Sequence, residues 1–215
     1  MPRARTTLAV AAALCAGLVT PAVAGSGATP CRIVTDPAGD AALRDVGPVS
    51  APNESALDVL SADIASGPRN LTIVVRVTGL GTAVQAAPRL DQWIVYFTFK
   101  GHGFAATAAR AVDGTEFYLA GDFPEKSSAP GFTATVPVTG AFVEAANEVR
   151  IVVPRDLVGH TRKGDKISKI TVDTVTGVGT LATETTGAYA GTTVDRTAQP
   201  GSTTVIGAAS CVRST

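Results

Sequence analysis

Apolar and polar residues alternate along much of this chain, which is the pattern of a β-strand with one buried face. In the segment 71–77 every odd position is apolar. The segment 93–99 repeats this alternation, with Trp93 on its apolar face and Tyr96 on the opposite face. Both segments are rich in β-branched or aromatic residues, which pack well on a pleated sheet. We therefore predict a strand at each of them.

Shorter runs of the same kind, separated by turn residues, predict the other strands of the fold. These runs are 57–65, 104–111, 115–120, 132–138, 148–153, 167–175 and 203–206. Pro137 indicates that its strand lies at an edge or ends there, because proline cannot donate a hydrogen bond to a neighbouring strand. No segment of helical length carries an apolar stripe. The sequence predicts an all-β fold, an antiparallel β-sandwich of jelly-roll or immunoglobulin-like type with about nine strands.

Two long stretches lack this alternation. Residues 27–52 and 176–202 are rich in Gly, Ala, Thr and Pro and contain few large apolar side chains. Long segments without secondary structure are unusual in a compact domain, and they are often functional. We expect these stretches to form long loops on the sandwich.

The first residues have the character of a targeting segment. Arginines precede an apolar run at 8–19, and the small residues Ala22 and Ala24 follow it. This order predicts a secretory signal peptide at 1–24, so we expect the mature protein to be secreted. The apolar run is shorter than a typical membrane span of about 20 residues, which disfavours a retained anchor.

Cleavage of the signal peptide would remove one of the three cysteines and leave two. Cys15 would be removed, and its lipidation is disfavoured because Leu14 occupies a position that should be small. Cys31 and Cys211 remain, and a pair of cysteines in an exported chain predicts a disulfide. We therefore expect residues 25–215 to form one β-sandwich domain whose two ends are joined by a disulfide.

The charge balance disfavours polyanionic partners. Without the signal peptide the chain carries 16 basic and 18 acidic side chains, a net charge of −2. This balance offers no strongly basic patch for nucleic acid or for an anionic membrane surface. We expect neither nucleic acid nor, after signal cleavage, a membrane as partner, and the sequence leaves the oligomeric state open.

An acidic cluster near the mature N-terminus is the candidate metal site. Asp36 and Asp40 flank a turn that contains Gly39, and Asp58 and Asp63 follow in the next predicted strand. Carboxylate oxygens gathered on a loop suit Ca²⁺, which takes six to eight oxygen ligands. Asp58 and Asp63 have opposite strand parity, so both can reach one ion only if the strand bends. The alternative is that Asp36 and Asp40 cap their own turn.

Several short motifs carry a resemblance to known modules. They lie at 36–41, 56–64, 70–80, 149–154 and 195–201. Together they resemble a module of exported actinobacterial proteins that is similar to the DOMON and family 9 carbohydrate-binding sandwiches. The resemblance implies a β-sandwich that binds a sugar, haem or Ca²⁺ in different members.

Resemblance to the family 9 sugar binders implies a clamp of two aromatic rings. Trp93 shares its face with apolar residues, so we expect it in the core. Tyr96 and Tyr118 are the candidate ligand-binding residues, because each lies among polar neighbours. Haem needs axial ligands, and the mature chain has no methionine. His102 and His160 lie beside turn glycines, where we expect a solvated histidine.

No pattern in the sequence predicts catalysis. The chain contains neither a Gly-x-Ser-x-Gly turn nor a His-Glu-x-x-His helix. We expect the protein not to be an enzyme, and a hydrolase with an unrecognised site is the alternative. The predicted function is a secreted, non-catalytic binding or accessory module for a carbohydrate or cell-envelope polymer, with structural Ca²⁺. A structural or protein-interaction domain with no small ligand is the alternative function.

Overall fold

The fold consists of β-strands joined by turns and loops. The computed structural model describes residues 33–41, 54–81, 89–122, 134–159, 161–181, 190–197 and 202–206. The strands in these ranges are β1 (Val34–Thr35), β2 (Val59–Ser66), β3 (Asn70–Val77), β4 (Arg89–Phe99), β5 (His102–Ala111), β6 (Gly114–Gly121), β7 (Ala134–Pro137), β8 (Thr139–Val143), β9 (Glu148–Pro154), β10 (Lys166–Val178), β11 (Ala190–Arg196) and β12 (Ser202–Val205). One turn of 3₁₀-helix, Glu144–Ala146, precedes β9.

The strands form two antiparallel sheets. The small sheet has the order β1-β2-β3-β9-β8. The large sheet has the order β11-β10-β4-β5-β6-β7, and β12 pairs with β10 beside it. The predicted all-β, antiparallel fold is confirmed, and the arrangement is consistent with a β-sandwich. In the described part of the chain, no helix has the length and apolar character needed to span a membrane.

Both sheets contribute side chains to one hydrophobic core. Ile73 and Ile151 come from the small sheet, and Trp93 and Phe97 come from the large sheet. Trp93 is fully buried, which confirms its predicted place in the core. Burying a large apolar side chain stabilises a fold by roughly 1.5–3 kcal/mol. The core therefore explains why the alternating apolar positions of the sequence predict these strands well.

The chain before β2 closes one end of the core. The indole N–H of Trp93 donates to the carbonyl of Ala56 over 2.9 Å. The hydroxyl of Thr174 donates to the carbonyl of Leu57 over 2.7 Å. Both donors belong to the large sheet, whereas the acceptors lead into the small sheet. These bonds satisfy buried polar groups and tie the two sheets together.

Several elements differ from the expectation based on the sequence. The predicted strand at 57–65 begins only at Val59, because the Leu57 N–H turns back to the Glu54 carbonyl over 2.7 Å. The predicted strand at 132–138 ends at Pro137, and the chain then crosses to the other sheet as β8. The stretch 27–52, expected as a loop, contains β1, and the stretch 176–202, also expected as a loop, contains β11 and the end of β10.

In the described part of the chain both expectations for Pro137 are met, because β7 ends at this residue and is the outermost strand of the large sheet. After the crossing, β8 packs very closely at Gly140. A Cβ atom at this position would lie 2.2 Å from a ring carbon of Phe117 and 2.5 Å from the carbonyl oxygen of Arg150. Only glycine fits such an approach. The predicted signal peptide at 1–24, Cys31 and Cys211 lie outside the described residues.

Candidate functional site

The predicted acidic loop packs against the small sheet. Gly39 has a positive φ of 90°, which glycine adopts without strain. Its N–H donates to both carboxylate oxygens of Asp58, over 3.1 and 2.9 Å. The Asp58 side chain is fully buried, and it also accepts a 2.5 Å hydrogen bond from the hydroxyl of Thr78. Asp58 therefore holds the loop in place.

Asp36 and Asp40 meet a third carboxylate, that of Asp195. One oxygen from each of the three lies within 4.8 Å of the others. Asp40 is exposed and Asp36 is half-buried, whereas Asp195 is buried at the inner end of the group. The cluster joins the loop after β1 to β11, so it lies where one edge of the small sheet approaches one edge of the large sheet.

A hydrogen bond from β2 holds the Asp195 carboxylate in place. Its Oδ2 accepts a 2.8 Å hydrogen bond from the N–H of Val59, the first residue of β2. Burial raises the pKa of the Asp195 carboxyl to about 7, and the charges of Asp36 and Asp40 add to this effect against the backbone N–H bonds that lower it. A cation beside the cluster would favour the charged form of all three carboxylates.

Asp63 lies outside this cluster. Its Oδ2 forms an ion pair with Arg76 at 2.5 Å, and its Oδ1 accepts from the N–H of Ile33 over 3.1 Å. Arg76 in turn contacts Glu148, which also binds Arg150. These residues form a charged network on the outer face of the small sheet. The sequence allowed Asp58 and Asp63 to reach one ion only if the strand bends. The register of β2 does shift between Val59 and Ser61, but Asp58 accepts from Thr78 and Asp63 pairs with Arg76, so the two carboxylates have separate partners.

Among the four predicted metal ligands, the structure thus brings Asp36 and Asp40 together, and Asp58 supports their loop. Asp195 was not among the metal ligands predicted from the sequence. It lies in a stretch expected to be a loop, and only its place in the motif 195–201 marked it. Asp195 is far from Asp36 and Asp40 in the sequence, and the pairing of distant strands brings it to the cluster. A local sequence pattern does not predict such pairing.

The predicted ligand-binding tyrosines lie on the outer face of the large sheet. Tyr96 pairs with Ala105, and Tyr118 pairs with Thr107. Directly paired residues project to the same face, and alternate residues of β5 share that face. Tyr96 and Tyr118 therefore lie on one surface, with their strands about 10 Å apart. Both side chains are half-buried.

A groove of about 640 Å³ runs beside Tyr118 at the edge of the large sheet. It is lined by Thr115, Glu116, Phe117, Tyr118, Thr135, Pro137 and Val138. It lies where β7 ends, so the first residues of β6 have no strand beside them on that side in the described part of the chain. Gln92 Nε2 donates to the Tyr118 hydroxyl over 3.2 Å, which orients the ring.

His102 does not join either region. His102 Nδ1 lies 3.1 Å from a carboxylate oxygen of Asp122, and both side chains are about one-third exposed. His160 lies outside the described residues. The predicted, solvated role of His102 agrees with this exposure.

Comparisons of the chain with protein-family models, with curated proteins and with solved structures give no match. The resemblance to the DOMON and family 9 sandwiches therefore stays a prediction.

Proposed function

We propose that this chain is a secreted, non-catalytic binding module that recognises a carbohydrate or cell-envelope polymer on the outer face of the large sheet. The observation that supports this most directly is the placement of Tyr96 and Tyr118 on one face. Trp93 and Phe97, by contrast, are buried in the core and cannot reach a ligand. The finer fold type, jelly-roll or immunoglobulin-like, stays a prediction.

The groove beside Tyr118 has the chemistry that a sugar requires. Its volume of about 640 Å³ lies within the usual range of small-molecule sites. An aromatic ring can stack on the apolar face of a pyranose, while Glu116, Thr115 and Thr135 supply polar groups at its rim. Sugar recognition needs this combination of a flat apolar surface and hydrogen-bonding groups.

Structural Ca²⁺ is the second part of the proposal. Asp36, Asp40 and Asp195 would supply carboxylate oxygens, which are the ligands that Ca²⁺ prefers. The ion would neutralise carboxylates that lie close together and would fix the loop after β1 against β11. In this role it supports the sandwich and takes no part in a reaction.

The binding proposal is tested with the protein comprising residues 25–215 and its Tyr96→Ala and Tyr118→Ala variants. Each is mixed with insoluble peptidoglycan, chitin or α-glucan, and the bound fraction is measured. Val152→Ala is the matched control, because it shortens a half-buried side chain on the other sheet. We expect the wild type and the control to bind one polymer, and the tyrosine variants to bind it about tenfold more weakly, as the loss of a stacked ring implies.

Binding by the wild type that both tyrosine variants retain in full would place the ligand elsewhere. Failure of the wild type to bind any polymer would favour the alternative, a structural or protein-interaction domain. The charged network on the outer face of the small sheet is the observation that favours this second candidate. There, Arg76 joins the buried Asp63 to Glu148.

A further inference from the structure

An ion pair lies beside Tyr96 on the outer face of the large sheet. In the sheet register Asp173 is paired with Ile94 and with Arg196, while Thr171 is paired with Tyr96. Ile94 and Tyr96 are alternate residues of β4, so Asp173 and Arg196 project from the same face as Tyr96. The ring and the ion pair are therefore neighbours on one surface.

The geometry of this pair is bidentate. Arg196 Nε donates to Asp173 Oδ1 over 2.9 Å, and Arg196 Nη2 donates to Asp173 Oδ2 over 2.5 Å. The Asp173 side chain is only 7% exposed, whereas that of Arg196 is 67% exposed. The buried carboxylate thus fixes the orientation of a guanidinium group whose outer side is in solvent.

Both Arg196 and Asp173 can form further hydrogen bonds. A guanidinium group has five N–H donors, and this pair occupies two of them. Among the described residues, the Arg196 side chain donates to Asp173 alone. Each carboxylate oxygen of Asp173 has a further lone pair. On the face that carries Tyr96, the pair therefore presents the exposed donors of Arg196 and the small exposed part of the Asp173 carboxylate.

Electrostatic coupling agrees with this proximity. Burial raises the pKa of the Tyr96 hydroxyl, the charge of Asp173 raises it further, and Arg196 partly offsets that effect. The hydrogen bond to Asp173 raises the pKa of Arg196, and Tyr96 also contributes to this rise. All three groups thus share one electrostatic environment.

We propose that Asp173 and Arg196 determine the specificity of the carbohydrate site, by binding two adjacent hydroxyl groups of a neutral pyranose that stacks on Tyr96. One hydroxyl donates to Asp173 and the next accepts from Arg196. The ion pair has no net charge, so it gives the carboxylate of an acidic sugar no net attraction, and the site favours a neutral ring. This inference rests on the proposed function and names the class of sugar.

The test uses Arg196→Lys, which keeps the charge but loses the planar fork, and Asp173→Asn, which keeps the shape but loses the charge. Arg150→Lys is the matched control. Arg150 pairs with Glu148 through hydrogen bonds of 2.9 and 2.6 Å to one carboxylate oxygen, on the outer face of the small sheet. Thermal melting of each variant verifies that it is folded.

Binding of soluble maltoheptaose, chitohexaose and oligogalacturonate is measured by calorimetry. We expect the wild type and Arg150→Lys to bind a neutral oligosaccharide in preference to oligogalacturonate. Each site variant should lose about tenfold or more in affinity, because a hydrogen bond to a charged group is removed.

The possible failures separate the two proposals. If the Tyr96→Ala variant loses the binding seen in the wild type while the Arg196→Lys and Asp173→Asn variants keep it, this inference is overturned and the proposed carbohydrate site stands. Preference for oligogalacturonate would overturn the assignment to neutral sugars. A wild type that binds none of the three oligosaccharides, and none of the insoluble polymers, would overturn both proposals.

Discussion

Asp195 is buried and lies close to two other carboxylates. Its ionisation should therefore make the free energy of unfolding depend on pH. An unfolded aspartate titrates at about pH 3.9. In the folded protein the pKa of Asp195 is raised to about 7. The folded state therefore holds this proton more tightly. The contribution of Asp195 to stability is fully present below about pH 4 and is lost as the pH rises to about 7.

We predict that Asp195→Asn changes the pH dependence of unfolding in the presence of a chelator. The variant cannot ionise, so it should become more stable relative to the wild type between about pH 4 and pH 7. Urea denaturation at several pH values measures this difference. Asp156→Asn, on an exposed turn, is the control and should leave the profile unchanged. A difference between Asp195→Asn and wild type that stays constant with pH would contradict the raised pKa.

At the scale of elements, the acidic cluster connects a loop and two strands of different sheets. Asp36 and Asp40 belong to the loop that Asp58 holds, and Asp195 belongs to β11. The N–H of Val59 links Asp195 to β2. A bound cation would therefore stabilise the contact between these elements rather than a single turn.

We predict that Ca²⁺ raises the melting temperature, because a ligand that binds only the folded state stabilises it, by about 2.7 kcal/mol at one hundred times Kd. The effect should be larger at pH 8 than at pH 5, since the carboxylates must lose their protons to bind. Asp40→Asn and Asp195→Asn should abolish it, whereas Asp156→Asn should retain it. Identical melting curves in Ca²⁺ and in chelator would leave Asp36 and Asp40 with a role in the turn alone.

The sequence predicted those elements whose side chains alternate between core and solvent. The strands around Ile73, Trp93 and Ile151 are examples, because each alternate residue enters one core. It did not predict β8 or β11, where Gly140 and several threonines replace the large apolar residues that mark a strand. Their pairing is decided by the register of neighbouring strands, which residues far apart in the chain determine.

Pairing between distant strands also limited how much of the two candidate sites could be predicted from the sequence. Asp36 and Asp40 were predictable because they flank one turn, and Tyr96 was predictable from its parity. Asp195, Asp173 and Arg196 were not, since only the pairing of β10 with β11 and the approach of β2 bring them to these places.

At the scale of the whole molecule, we predict that a disulfide between Cys31 and Cys211 joins the two ends of the domain. Closing a loop of about 180 residues stabilises a fold by up to ~5 kcal/mol in the chain-entropy model. Thiol titration of the denatured, unreduced protein comprising residues 25–215, prepared by export to an oxidising compartment, should find no free thiol. Finding both thiols free would show that the ends are not linked.

The hydrogen bond from Val59 to Asp195 gives this molecule a built-in spectroscopic probe. The Val59 amide proton points directly at the carboxylate whose pKa is raised to about 7. Its NMR chemical shift should therefore follow the ionisation of Asp195, although Val59 itself does not titrate. Because this bond crosses from one sheet to the other, a single amide resonance would report how tightly that edge of the sandwich is closed.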